Sequence, residues 1–188
     1  MLFIDYVTLM LINMTAGLVL LAWYIWMGLD DADQPRWAPA FAIVGAVALL
    51  CGLKMSWGWP LPGSYNAAYG DTSVLLGALF VGAAVSMAKS LDLKPLAVYA
   101  FFAGAASILV GVRVIGLGLT MSPLISGVGF ILTGLAGVCV GPTLRLRRNR
   151  TVRVVGVVTL LTAAAIWALN GYLGYWVHLQ SLAKWAPK

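Results

Sequence analysis

The 188-residue sequence contains no glutamate, a single histidine and two cysteines, and only 10% of its residues are charged. Soluble domains carry roughly a quarter of their residues as charged side chains, so this scarcity excludes an ordinary soluble domain. Apolar residues are abundant instead: 62% of the chain is hydrophobic, and the mean hydropathy is +0.94. The composition therefore predicts an integral membrane protein.

The scarcity of histidine and cysteine also limits the chemistry. One histidine, His178, excludes a bis-histidine haem within one protomer and leaves a zinc site without its usual ligands. We predict no cofactor; haem held by His178 with a methionine or a neighbouring subunit is the open alternative. Asp71 and His178 have the chemistry of an acid–base pair, but no nucleophile motif accompanies them. A non-catalytic protein is therefore favoured over an enzyme.

Twelve basic residues against six aspartates give a net charge of +6. Half of the arginine-rich segment 144–153, LRLRRNRTVR, is basic, and it lies between two apolar runs with no soluble reader domain around it. The preference of basic residues for cytoplasmic loops explains it better than nucleic-acid binding does. Asp5 stands where a cleavable signal peptide would carry positive charge, so the first apolar run is predicted to stay in the mature protein.

Apolar runs separated by helix-breaking residues predict an all-α, multi-pass membrane protein with one domain over residues 1–188. About 20 apolar residues cross a bilayer, which allows six spans. Pro35, Pro95 and Pro123 lie near helix starts, where a missing N–H costs little. No internal repeat is evident. The predicted helices cover residues 2–29, 37–57, 73–88, 94–119, 123–141 and 152–184.

The distribution of basic residues predicts that both termini lie outside the cell. With this orientation the cytoplasmic loops hold eight of the twelve basic residues, as the positive-inside rule requires. The plasma membrane is the predicted location, with an outer interfacial loop at residues 58–72 and a basic cytoplasmic loop at residues 142–153. The eight basic residues are Arg36, Lys89, Lys94, Arg145, Arg147, Arg148, Arg150 and Arg153.

Ionisable residues within the predicted spans are candidate functional residues, because burying charge in a bilayer is costly. Lys54 and Arg113 fall in the outer halves of the second and fourth predicted helices, and Asp5, Asp71 and His178 lie on the same side. Two interpretations are open. The cations face a cavity and attract an anion, a carboxylate or a lipid headgroup, or they form structural pairs, Arg113 with Asp71 and Lys54 with Asp5. Lys54 also has the length to reach the headgroups.

The segment 57–71, WGWPLPGSYNAAYGD, predicts an irregular loop at the outer surface. Its prolines and glycines prevent a regular helix, and its aromatic residues suit the membrane interface. Irregular backbone at that depth requires protein or a wet cavity around it, so we predict that Trp57, Tyr65 and Asn66 line or cap a vestibule. An ordered interfacial hairpin is the alternative.

Small residues recur on two neighbouring predicted helices. Gly104, Ser107 and Gly111 lie on the fourth, and Gly134, Gly137 and Gly141 on the fifth. Small residues permit close approach of helices in a bilayer. The two open interpretations are tight packing within the protomer and a seam between copies in a homo-oligomer.

The segment WPLPGSYN at residues 59–66, followed by the pair Gly70-Asp71 between the second and third helices, resembles a prokaryotic membrane-protein family classified as a domain of unknown function. This resemblance covers most of the chain and implies a six-helix fold, with no established activity to carry over. The chain is also similar, in topology and in the patterns YGDTSVLLGALFVGAAVSM and LAVYAFFAGAA, to the proton-gated urea and amide channels. Their members form rings with one pore per protomer. The charged residues Lys54 and Arg113 are not expected in a pore for a neutral solute such as urea. The Asn-Pro-Ala-Pro signature of acetate channels is absent from the sequence.

Together these features predict a channel or transporter for a small polar or anionic solute. The alternative is a non-catalytic subunit or binding protein that holds a lipid, a quinone or a haem. The predicted partners are the lipid bilayer, the solute and further copies of the chain in a homo-oligomer. The predicted substrate-binding residues are Lys54, Arg113, Trp57, Tyr65, Asn66, Asp71, Asp5 and His178.

Overall fold

The computed structural model describes residues 5–183, and every regular element within them is helical. A π-helical turn at Tyr24–Gly28 extends the first helix, a 3₁₀ turn at Gln34–Trp37 precedes the second, and a π-helical turn at Asn66–Asp71 precedes the third. The α-helices are α1 Tyr6–Trp23, α2 Ala38–Gly58, α3 Thr72–Ala88, α4 Leu96–Leu117, α5 Pro123–Val138, α6 Val140–Arg145 and α7 Arg150–Leu182.

Five of these segments are long and apolar enough to cross a membrane: Tyr6–Gly28, Gln34–Gly58, Asn66–Ala88, Leu96–Leu117 and Arg150–Ser181. This confirms an all-helical, membrane-type architecture. The predicted fifth helix, 123–141, differs from the structure, where α5 ends at Val138 and the short α6 follows after Cys139. Pro142 explains the break, because it has no N–H to donate to the carbonyl of Val138. The predicted outer limits at residues 2 and 184 lie outside the described residues.

Short connections make consecutive long helices antiparallel, so the bundle has two ends. The basic end contains the segment 144–153, the start of α7 and the end of α1. The loop end contains the segment 59–65, the start of α1 and the end of α7. Asp5 caps α1 by accepting a hydrogen bond from the Thr8 N–H at 3.1 Å, and Asn149 caps α7 in the same way.

Glycines bring the helices of two hairpins, α2–α3 and α4–α5, into backbone contact. A Cβ atom on Gly77 would lie 2.7 Å from the Leu49 amide nitrogen, and one on Gly104 would lie 2.5 Å from the Gly134 carbonyl oxygen. The Ser107 hydroxyl also donates to the Phe130 carbonyl across the second hairpin, at 2.8 Å. Tight packing within the protomer, one of the two interpretations of these small residues, is therefore confirmed for this pair of helices.

The two hairpins are an internal repeat, which corrects the expectation that the chain has none. GAVALLCG at residues 45–52 matches GAASILVG at residues 104–111, and GDTSVLLG at residues 70–77 matches GVGFILTG at residues 127–134. The segment AAIWALNG at residues 164–171 of α7 has a related pattern, and there a Cβ on Gly171 would lie 2.9 Å from the Ile12 side chain of α1. Three similar antiparallel pairs thus surround one axis.

Candidate functional site

A cavity of about 500 Å³ opens inside the bundle at the basic end. Every helix contributes to its wall, so the cavity lies along the axis of the bundle rather than between two neighbouring helices. Most lining residues are leucine, valine, alanine or phenylalanine, and none is charged. The lining residues with a polar side-chain atom other than a thioether are Tyr24, Cys139, Thr143, Thr151 and Thr159.

Aromatic side chains lie in the wall of this cavity and beyond it toward the loop end. Phe41 and Phe80, both in the cavity lining, stack with ring centroids 5.2 Å apart. Further toward the loop end, Phe130 packs against Trp167 at 4.9 Å and against Tyr69 at 5.3 Å. We call Tyr69, Phe130 and Trp167 the aromatic cluster. It lies roughly 10 Å beyond the cavity-lining Leu160 of α7, at about 1.5 Å per helical residue.

Hydrogen bonds fix the ring of Trp167 within the aromatic cluster. Its Nε1–H donates to the Thr133 hydroxyl at 2.9 Å, and the Thr133 hydroxyl in turn reaches the Gly129 carbonyl at 2.8 Å. Trp167 is almost completely buried. A buried indole with a satisfied N–H is held in one orientation, so the cluster forms a defined constriction.

The mouth of the cavity at the basic end is built from the end of the first helix and the loop after it. The Tyr24 hydroxyl donates to the Gln34 side-chain oxygen at 2.7 Å, and the Gln34 amide donates to the carbonyls of Gly28 and Asp31, both at 2.8 Å. These bonds hold the π-helical turn against the 3₁₀ turn that precedes α2 and fix the ring of Tyr24, which lines the cavity. π-helical turns are frequent at functional sites.

Asp31 fixes the start of the second helical segment at the same mouth. Its carboxylate accepts a hydrogen bond from the Trp37 indole at 2.9 Å and pairs with Arg36 at 2.6 Å. The hydrogen bond from Trp37, followed by the backbone N–H of Asp33 and the charge of Arg36, holds the pKa of the Asp31 carboxyl below its usual range. The loop is thus ordered by an ionised aspartate.

Arg153 joins the start of α7 to the end of the first helix. Its guanidinium pairs with Asp30 and donates to the Trp26 carbonyl at 3.3 Å, and its Nε–H donates to the Arg147 carbonyl. The arginine-rich segment is therefore attached to the rim of the cavity.

At the loop end, Tyr65 and Asn66 hold the irregular segment 59–65 in place. Asn66 is fully buried: its Oδ1 accepts from the Leu61 N–H at 3.0 Å, and its Nδ2 donates to the Leu61 carbonyl. The Tyr65 hydroxyl donates to the Leu119 carbonyl, just beyond α4. Trp57 is 81% exposed. The irregular backbone is shorter than the predicted loop of residues 57–71. It covers residues 59–65, and the segment 66–71 is a helical turn that continues into α3.

The structure turns both candidate cations outward. Arg113 lies on the exposed face of α4, opposite the buried stripe that includes Gly104 and Gly111. Lys54 is exposed, and its side chain runs along α2 toward Gly58 and the end of the helix, as expected for a lysine that reaches the headgroups. Lys54 and Arg113 occupy equivalent positions in the repeat, each two residues after the last glycine of its motif, Gly52 or Gly111.

The expected ion pairs of Arg113 with Asp71 and of Lys54 with Asp5 are not formed. Asp71 is exposed and accepts a hydrogen bond from the Ser56 hydroxyl at 2.5 Å. Among residues 5–183, neither Lys54 nor Arg113 has an ion pair, and both side chains are exposed.

Asp5 pairs instead with His178, across α1 and α7. The Asp5 carboxylate lies 2.5 Å from His178 Nδ1, and the Thr8 hydroxyl lies 3.3 Å from the same nitrogen. Burial raises the pKa of Asp5, but hydrogen bonds from His178 and Thr8 outweigh it, so the pKa lies below its usual range. The pair ties the two helices together at the loop end.

All eight predicted site residues thus lie at the loop end, and none of them lines the 500 Å³ cavity at the basic end. The sequence analysis missed the cavity-lining residues. A partial signal exists in α7, where the cavity-lining Leu160 begins a buried stripe at helical spacing that continues through Ala163, Ala164 and Trp167 toward the loop end. Within residues 5–183 no group of three or more histidine, cysteine or acidic residues is placed to hold a metal ion.

Comparisons with known proteins agree with this architecture. The family model described as "Protein of unknown function (DUF981)" matches residues 1–181. No curated protein matches the chain at a significant level. The crystal structure of the urea channel from the human gastric pathogen Helicobacter pylori is similar, with a TM-score of 0.65 and 17% sequence identity. That similarity covers 96% of this chain and 99% of the channel chain, so the two share a fold over their whole length.

Proposed function

We propose that this chain, which belongs to the DUF981 family of proteins of unknown function, is a membrane channel for a small, uncharged polar solute. The observation that carries the proposal is the cavity on the bundle axis, walled by every helix and bounded along the same axis by the aromatic cluster. The shared fold with a protein described as a urea channel supports it.

The lining of the cavity favours an uncharged solute over an anion. An ion that leaves water for an apolar cavity loses its hydration without compensation, which costs several kcal/mol or more. The cavity lining offers no charged side chain, and Lys54 and Arg113 point away from it. A small neutral molecule can instead exchange a few hydrogen bonds with Tyr24, Thr143 and Thr159 as it passes.

The aromatic cluster supplies the selective constriction in this proposal. Trp167 is held by Thr133, and Phe130 lies between Trp167 and Tyr69. Flat rings limit the width of a passage and present faces that accept a planar solute but strip hydrated ions of water. In the described geometry the rings are in contact, which corresponds to a closed path.

Solute flux into proteoliposomes tests the proposal, with urea, acetamide, acetate, formate and chloride compared in stopped flow. Ala83→Trp places a large ring in the cavity, whereas Val85→Trp places the same ring on the exposed face of the same helix. We expect flux of a neutral solute that Ala83→Trp lowers by about tenfold, the effect of about 1.4 kcal/mol on a barrier. The Val85→Trp control keeps wild-type flux. The proposal fails if no solute crosses, or if both variants behave alike.

A non-catalytic binding subunit is the second candidate, because the apolar cavity also suits a lipid or a quinone. Haem fits less well. His178 lies 18 residues beyond Leu160 along α7, roughly 27 Å at about 1.5 Å per residue, and it is bonded to Asp5. An absorption spectrum of the purified protein separates these cases, since a Soret band indicates haem. The homo-oligomer remains a prediction that native mass spectrometry checks.

A further inference from the structure

The basic end holds more positive charge than its own carboxylates neutralise. Arg153 pairs with Asp30 and Arg36 pairs with Asp31. Four further arginines on the segment 144–153 are exposed and have no ion pair among the residues that the structure describes. They are Arg145, Arg147, Arg148 and Arg150. Neither the proposed solute path nor the packing of the helices uses them.

Arg147 is the one of these four whose backbone is hydrogen-bonded to the rim of the cavity. Its carbonyl accepts from the Nε–H of Arg153, whose guanidinium donates to the Trp26 carbonyl at the end of the first helix. Leu144 and Thr151, on either side of Arg147 in the chain, both line the cavity. The short segment that carries Arg147 therefore forms part of the rim.

The cavity beneath Arg147 has the character of a site for an alkyl chain. Its volume of about 500 Å³ falls within the range of roughly 300–1,000 Å³ that is usual for small-molecule sites. Its lining is predominantly apolar, which favours the apolar part of a ligand. Helices surround it on all sides, which suits one chain better than the two chains of a phospholipid.

We propose that the cavity and Arg147 together bind a long-chain fatty acid anion, with the alkyl chain along the bundle axis and the carboxylate at the Arg147 guanidinium. Apolar walls below a cationic rim complement the two halves of such a molecule. The bound chain occupies the basic-end half of the proposed solute path, so fatty acid and solute exclude each other. The site is inferred from the cavity and its rim and does not depend on solute flux.

Photo-crosslinking of the full chain in neutral-lipid vesicles tests this inference directly. The probe is palmitic acid with a diazirine in the middle of its chain, and the matched probe is the corresponding alcohol. We expect the acid to label cavity residues of α3 and α7, including Ala83, Thr159 and Leu160. The alcohol should label them about tenfold less, since it lacks the charge-assisted bond.

Variants of the arginine-rich segment locate the carboxylate. Arg147→Gln is expected to reduce cavity labelling by about tenfold, and Arg147→Lys to retain most of it. Arg148→Gln removes the same charge from the neighbouring position and is expected to leave labelling within about twofold, because it alters only long-range attraction. Ala83→Trp fills the cavity and should abolish labelling even where Arg147 is intact.

Three results would overturn the inference. Labelling confined to exposed positions such as Val98 and Phe102 would place the probe in the surrounding lipid. Equal losses in Arg147→Gln and Arg148→Gln would show surface attraction alone. Stronger cavity labelling by a diazirine phosphatidylglycerol than by the acid would assign the site to a phospholipid. Because labelling needs no flux, its failure is distinct from failure of the channel proposal.

Discussion

Single polar side chains fix the loop end of the bundle. Asn66 binds both backbone groups of Leu61, Tyr65 reaches Leu119, and Asp5 joins His178. Each of these side chains lies where the backbone leaves a helix or where two helices meet. Within a membrane, water is not available to replace a lost hydrogen bond. Removing one of these side chains therefore leaves backbone groups without a partner and weakens the local structure.

Asn66→Ala is expected to lower the free energy of unfolding by about 1–3 kcal/mol, because it leaves the Leu61 N–H and carbonyl buried without their partner. The melting temperature of the detergent-solubilised protein measures the effect. Ser64→Ala, at an exposed position in the same segment, is the control and should change little. An unchanged melting temperature for Asn66→Ala would mean that the segment is held by other contacts.

Asp5→Asn is expected to reduce stability at neutral pH, by an amount that declines once the pH falls below the ordinary aspartate pKa of 3.8. The pKa of Asp5 lies below its ordinary value of 3.8, so its stabilising contribution is complete above that value. The contribution is lost as the pH falls through the lower pKa of the folded state. Unfolding of the wild type and the variant, compared at neutral pH and at a series of pH values below 3.8, tests this. Asp33→Asn, at an exposed loop position, serves as the control.

Two elements, the hairpins α2–α3 and α4–α5, derive their close packing from glycines two helical turns apart. Contacts at Gly45, Gly77, Gly104 and Gly134 leave no room for a side chain. Small residues allow the backbones themselves to touch, which is how helices associate in a lipid environment that offers no hydrophobic drive between them.

A matched pair of substitutions in α4 measures this packing. Gly104→Ala should destabilise the protein by about 1–3 kcal/mol, because its methyl group would lie 2.5 Å from the Gly134 carbonyl oxygen. Gly116→Ala meets no atom within 4 Å and should stabilise α4 by roughly 0.5–1 kcal/mol. Thermal unfolding of both variants checks the prediction. Equal effects would show that helix propensity, and not contact, determines the result.

Much of the helical architecture was predictable, since apolar runs and proline positions place α2, α3 and α4 within a few residues. The helix break at Cys139 was not predictable. A single proline at residue 142, near the end of an apolar run, does not show whether the helix ends there, bends or continues. The cavity was not predictable either. In a bilayer, lipid-facing and cavity-facing side chains are both apolar, so Thr159 and Val158 give no sign of which one points inward.

The clustering of candidate residues at one end of the molecule was predictable from charge alone, but their contacts were not. Lys54 and Arg113 attracted functional interpretation because charges in a span are costly. Side chains of this length near a helix end can reach the headgroups, and only the structure shows that both point outward. Asp5 and His178 are too far apart in sequence for their pairing to be read from it.

At the scale of the whole molecule, we predict six crossings, with α5 and α6 together as the fifth crossing, the basic end in the cytoplasm and the loop end outside. In a variant without Cys51 and Cys139, Ser64→Cys should react with an impermeant thiol reagent on intact cells. Asn149→Cys should react only after the cells are opened. The reverse pattern would overturn the orientation and leave the helical bundle unchanged.

The hydrogen bond from Tyr65 to the Leu119 carbonyl has a mechanical consequence for the whole bundle. It links the loop of one hairpin to the turn of the next, so the two hairpins are joined at one extremity. At the other extremity the chain itself joins them, because the segment 89–95 runs from the end of α3 to the start of α4. The two hairpins are therefore fastened at both ends, like two sides of a closed frame, and cannot swing apart about a single hinge. Removing the Tyr65 hydroxyl would release the fastening at the loop end and leave the covalent one at the basic end.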